Sequence, residues 1–160
     1  MSASLLPTRT LPTPDVVNSD GKIITSQSSK FPLDVPVMGE FLFVDTETTG
    51  LPNKGEYSNA EHPNTPHIVE LAAVLCDGDG NVIEELHHII KPDGYVIPDE
   101  VSKIHGITTE RALAEGVPLW LAMWELDRLV TRSKCLVAHN HQFDRLILKG
   151  AHYRLGVPYR

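Results

Sequence analysis

The chain has 160 residues, of which 41% are hydrophobic, and a formal net charge of −7. That length is enough for one domain with a substantial core. The negative balance excludes a protein that grips nucleic acid through a broad basic face, and no apolar run approaches a membrane span.

Residues 1–38 are rich in Pro, Ser and Thr, and their charges cancel. Such a stretch buries little apolar area, so a flexible segment is expected, with a short strand at Lys22–Thr25. No charged start leads into an apolar core, and a cytoplasmic location is the expectation. A folded domain is expected over 39–160. Its first strand runs from Glu40 to Thr46, and the apolar run Phe41–Val44 reads as buried on both faces. Asp45 and Glu47 are two positions apart, so they point to the same side of this strand. They leave its carboxyl end, where open α/β sheets place ligands. Two carboxylates this close raise each other's pKa. A hard divalent cation, Mg²⁺ or Mn²⁺, relieves that cost.

A long polar loop, Leu51–Pro66, follows; loops of that length often carry function. Ile68–Cys76 reads as a second buried strand. Asp77-Gly78-Asp79-Gly80 is a hairpin signal, and Asn81–Ile90 returns as a third strand. His87 and His88 fall on its two faces as satisfied surface histidines. Pro98–His105 and Thr109–Ala114 read as short helices parted by Gly106. Pro118–Arg132 carries Leu119, Met123, Leu126 and Val130 on one stripe, with Trp120 and Trp124 adding to its packing. Lys134–Ala138 is the next strand. A last helix opens at Asn140 or His141, with Asn140 as its cap and Phe143, Leu146 and Ile147 facing inward. Asp144 lies in its first or second turn, where the helix dipole favours an anion. Cys76 and Cys135 both lie in strands, as buried free thiols. Strand, hairpin, helices, strand, helix builds a mixed α/β sheet. The first and last core strands are expected side by side, which brings Asp144 to Asp45 and Glu47.

DTETTGL (45–51), IHGIT (104–108) and VAHNHQFD (137–144), in that order, resemble the DEDD (DnaQ-like) superfamily of 3′–5′ exonucleases, in its proofreading-subunit-like branch. The resemblance spans about Glu40 to Arg160. It implies an RNase H-like mixed sheet flanked by helices, two ions of Mg²⁺ or Mn²⁺, and hydrolysis of phosphodiester bonds from a 3′ end. Nucleoside monophosphates would be released, with DNA favoured over RNA. Asp45, Glu47 and Asp144 match the family's metal-binding acids, with Asp45 bridging the two ions. Thr48, Leu51, Ile104, His105 and Asn140 are the substrate-contact candidates, Leu51 as a wedge against the terminal base. The implied partners are a single-stranded 3′ end and a DNA polymerase or a replication or repair protein.

The family's third motif, a His separated by four residues from an Asp on a later helix, supplies a general base and a fourth carboxylate. No acid follows Asp144 here. His139 and Asp144 have the spacing, but Asp144 already belongs to the second motif. The expectation is a C-terminally truncated form of the fold, nearly inactive by itself. The alternative is a non-catalytic module that binds 3′ ends or a partner protein. The D-x-E-x-T start also resembles the haloacid-dehalogenase phosphatases, whose second acid is Asp. Glu47 departs from that pattern, and HNHQFD has no place in it.

Overall fold

The computed structural model describes residues 16–17, 23–24, 39–52 and 64–159. Most of the flexible segment expected at 1–38 and of the loop expected at 51–66 lies outside them, and the short strand expected at Lys22–Thr25 is found at Ile23–Ile24. The chain divides into two compact units, Met1–Val35 and Pro36–Arg160. In the first, β1 (Val16–Val17) pairs antiparallel with β2 (Ile23–Ile24).

The second unit holds β3 (Phe41–Thr48), β4 (Ile68–Cys76), β5 (Val82–Ile89) and β6 (Cys135–Val137). They form one sheet in the order β5-β4-β3-β6. The β3–β4 and β4–β5 pairs are antiparallel, and β3–β6 is parallel. The helices are α1 (Asp99–His105), α2 (Thr109–Glu115), α3 (Leu119–Val130) and α4 (His141–Arg154). This is the mixed, helix-flanked sheet that the order of elements implies.

Local chemistry explains the turns. The Asp77 carboxylate accepts the Asp79 and Asn81 backbone N–H groups at 3.0 and 2.8 Å, which closes the β4–β5 hairpin. The bonds from Asn81 hold the Asp77 pKa below its ordinary value. Gly116 sits where the backbone passes close to β5. A Cβ there would lie 2.3 Å from the Ala112 carbonyl oxygen and 2.6 Å from the Lys91 nitrogen. Val117, the next residue, exchanges backbone bonds with Ile89 and Lys91 at 2.9 and 2.8 Å.

Burial sorts the two sheet faces. Leu42, Val44, Leu71 and Leu75 pack against Met123, Leu126 and Leu129 of α3 and against Ile147 and Leu148 of α4. Each such side chain contributes about 1.5–3 kcal/mol relative to exposure. On the other face, Ile89 and Val69 pack with Ile97, Ile107 and Ala112 of the α1–α2 segment.

Three expectations need correction. β3 is not buried on both faces, because Phe41 and Phe43 are 40% and 46% exposed. A four-residue apolar run reads alike with one covering layer or two. The α1–α2 layer covers the Ile89 end of that face and leaves the β3–β6 end bare among the described residues. Cys135 is exposed rather than buried, since it starts the edge strand on the same bare face. Trp120 is 60% exposed rather than packed, because it lies off the α3 stripe that faces the core.

Candidate active site

Alternation along β3 separates two sets of side chains. Leu42, Val44, Thr46 and Thr48 are buried, while Asp45 is exposed and Glu47 half-buried on the opposite face. Antiparallel pairing puts Glu70 directly opposite Glu47 and Ala72 opposite Asp45. Glu47 therefore has two carboxylate neighbours on one face. Burial pushes its pKa up, His105 pulls it partly back, and Asp45 and Glu70 push it further up. His87 stands across from Ala72 on β5. Its Nε2 lies 2.7 Å from Glu70 Oε1. Neither Glu70 nor His87 stands out by motif. Counting residues back from the Asp77–Gly80 turn would have set Glu70 opposite His88, because a register shift between Leu75 and Cys76 moves β5 along by one residue.

Asp144 comes from the opposite direction. Asn140 caps α4, its side-chain oxygen accepting the Phe143 N–H at 3.4 Å. That places Asp144 in the first helical turn, where its own N–H donates to the Asn140 carbonyl at 3.0 Å. The side chain is 3% exposed and accepts the Thr46 hydroxyl at 2.9 Å. Burial pushes its pKa up, the Thr46 bond opposes that, and Asp45 raises it again. Asp45 is thus in electrostatic reach of both Glu47 and Asp144. Among the described residues, no three His, Cys, Asp or Glu side chains converge closely enough to hold an ion. The donor set itself fits one: it is all oxygen, and the carboxyls of Glu47 and Asp144, raised first by burial and further by the Asp45 charge, are of the kind a hard cation relieves.

The other site candidates surround this group. Thr48 is buried, and its hydroxyl donates to the Gly50 carbonyl at 2.6 Å. Leu51 and Ile104 are exposed apolar side chains. Gly106, with φ 77°, ends α1 in the left-handed region that glycine adopts without strain. His105 Nδ1 accepts the Ile107 N–H at 3.2 Å, so the neutral ring carries its hydrogen on Nε2. That Nε2 is buried and has no hydrogen-bond partner. Asn140 is committed at least in part to its cap.

The family model described as Exonuclease (RNase T type) matches residues 42–158, and the chain belongs to that family, within the DEDD superfamily. Members of this family use divalent metal ions. The domain is similar to E. coli Exonuclease I in complex with a dT13 oligonucleotide and in complex with a dA16 oligonucleotide. It is equally similar to the same enzyme in an ExoI/SSB-Ct complex. In each case the identity is 29% and the TM-score 0.59, over 72% of this chain and 24% of the other. The chain thus spans about a quarter of the length of those structures. The match establishes the RNase H-like fold. No curated protein matches the sequence. No described helix is long and apolar enough to cross a membrane.

Proposed function

We propose that this domain is a two-metal 3′–5′ exonuclease of the proofreading-subunit-like branch, acting on single-stranded nucleic acid, DNA ahead of RNA. The observation that carries the reading is the placement of Asp45 and Glu47 on one face at the end of β3, with Asp144 bonded to the intervening Thr46, in a domain of an exonuclease family. These three carboxylates would hold Mg²⁺ or Mn²⁺, which when bound activates water and stabilises the leaving oxygen. The Thr46 hydroxyl fixes the Asp144 carboxylate. His105 offers its Nε2–H to a phosphate oxygen or to the 3′ hydroxyl. Leu51 and Ile104 give the terminal base an apolar surface, and Asn140 holds the start of α4 that carries Asp144. The oligonucleotide complexes of E. coli Exonuclease I support a single-stranded DNA substrate, and its SSB-Ct complex supports a replication or repair partner.

These 160 residues carry three of the four acids that the family resemblance implies. We expect slow hydrolysis by this polypeptide, since a positioned general base typically contributes about 10²–10⁴-fold. The test is a 5′-labelled single strand incubated with excess protein and Mn²⁺, beside an Asp45→Asn control. A ladder shortening from the 3′ end, lost in the control, is the expected result. Internal cuts, or the same ladder from the control, would overturn the direction or the site. Capture of the 3′ end without any cleavage would return the chain to a binding module.

A further inference from the structure

A cavity of about 450 Å³ lies between the start of β4, the segment after β5, the first residues of α3 and the end of α4. Its volume falls within the range of small-molecule pockets, roughly 300–1,000 Å³. Ile68 and Ile90, both buried, line its apolar part. His67 and Tyr95 form a flat wall, their rings stacked at 4.0 Å with 19° between planes. The Tyr95 hydroxyl donates to the Ile68 carbonyl at 3.2 Å, which fixes that wall in place. Burial and the neighbouring Arg154 hold the His67 pKa down at about 4, so the ring is neutral at physiological pH. Trp120, exposed, presents a second aromatic surface.

Two cations line the same cavity. The Arg154 guanidinium donates to the Thr65 and Pro66 carbonyls. Among the described residues, neither Arg154 nor Lys91 forms an ion pair with a carboxylate. Asp93 offsets one of the two charges and leaves a net positive cavity on a chain of net charge −7. Positive charge in a partly dehydrated recess attracts an anion more strongly than it would in open water. Flat aromatic surfaces beside it favour a planar ring.

We propose that this cavity is a second nucleotide site, separate from the Asp45–Glu47 face. A phosphate group sits at Arg154 and Lys91, and a base lies against Trp120 or the His67–Tyr95 wall. The site joins the first motif through His67, which exchanges two 3.0 Å bonds with Thr49, two residues past Glu47. Ile68, which opens the cavity, pairs with Thr48 on the buried side of β3, away from Asp45 and Glu47. The inference goes beyond the exonuclease reading and requires only nucleotide chemistry. Its ligand is either a free nucleoside monophosphate or a nucleotide within a single strand.

The experiment uses the full chain carrying Asp45→Asn and Trp124→Phe, in EDTA, with Trp120 as the sole tryptophan. Fluorescence is titrated with dAMP, deoxyadenosine, inorganic phosphate and a short oligodeoxyadenylate. Saturable quenching by dAMP is expected, with deoxyadenosine and phosphate binding at least ~10-fold more weakly, because each lacks half of the ligand. Lys91→Glu should weaken dAMP by about 10-fold at an unchanged melting temperature. It is preferred to an Arg154 variant, because Arg154 also anchors Thr65 and Pro66. Tighter binding of the oligonucleotide than of dAMP assigns the site to a strand; equal or weaker binding assigns it to the free nucleotide. No saturable binding of either, or Lys91→Glu and Trp120→Ala that bind like the parent by calorimetry, would overturn the proposal. Absence of nuclease activity alongside intact dAMP binding would remove the exonuclease reading and leave this site standing.

Discussion

Asp144 sets chemistry against stability. Its carboxyl is buried in the folded chain, with its pKa above the ordinary value of 3.8. A group whose folded pKa is raised stabilises the fold below its unfolded pKa and loses that contribution as pH rises through the folded one. As pH rises through the folded value, the metal-free chain therefore takes on a charge that it would be more stable without. Asp144→Asn should raise the melting temperature of the metal-free protein by a few degrees and flatten its decline above about pH 4. It should also diminish the rise in melting temperature that Mn²⁺ gives the parent, worth about 2.7 kcal/mol at a hundredfold excess over Kd. Scanning calorimetry with and without Mn²⁺ reads both effects. An Asn variant that melts lower without metal would show that the Asp144 charge is compensated. The Asp45–Glu47 pair was legible from spacing, since two residues apart on a strand means one side. Glu70 was not, because its place opposite Glu47 depends on register between strands that no spacing in either strand declares. His67, Tyr95, Lys91 and Arg154 were further from view: they meet from three separated segments, and none of them sits in a motif.

At the scale of elements, α3 and α4 are tied by an imidazole–carboxylate pair. His152 Nε2 lies 3.1 Å from an Asp127 oxygen, and its Nδ1 lies 2.8 Å from the Leu148 carbonyl oxygen. Burial opposes the charged ring, but Asp127 and the Leu148 carbonyl outweigh it, and the pKa stands above 6.5. The stabilisation is complete below about pH 6.5 and is lost as pH rises through the folded value. Urea unfolding should show stability falling over that interval, and His152→Gln should remove that part of the slope. An unchanged slope would place its origin elsewhere. Gly116→Ala tests the packing of the α2–α3 connection on β5. A methyl group there meets two backbone groups that cannot swing aside, so a loss of about 1–3 kcal/mol is expected in the same assay. The elements themselves were readable because each carries its own punctuation: a DGDG turn, glycine after His105, asparagine before His141. What lay over the β3 strand was not readable, since Phe41 and Phe43 are apolar whether or not a layer covers them.

At the scale of the Pro36–Arg160 unit, the described residues cover one sheet face only in part. Phe41, Phe43 and Cys135 lie together on it at the β3–β6 end, clear of the α1–α2 layer. Contiguous apolar surface of this kind drives association. Phe43→Lys should shift sedimentation toward monomer at high concentration while changing the melting temperature little, because the side chain is already near half exposed. Self-association that persists unchanged would place the sticky surface elsewhere. The same sheet also dictates an order of events. The β4–β5 hairpin closes across a few residues, whereas Thr46 and Asp144 meet across 98 positions of chain. Long-range closures are entropically costly and tend to form late. The short β6 strand must dock before α4 can bring Asp144 to β3. On the proposed reading, any form of the chain in which α4 has not docked, whether emerging from a ribosome or recovering from heat, lacks one of the three acids that would hold the metals. Its cutting power would then wait on that last closure, leaving the unfinished chain harmless.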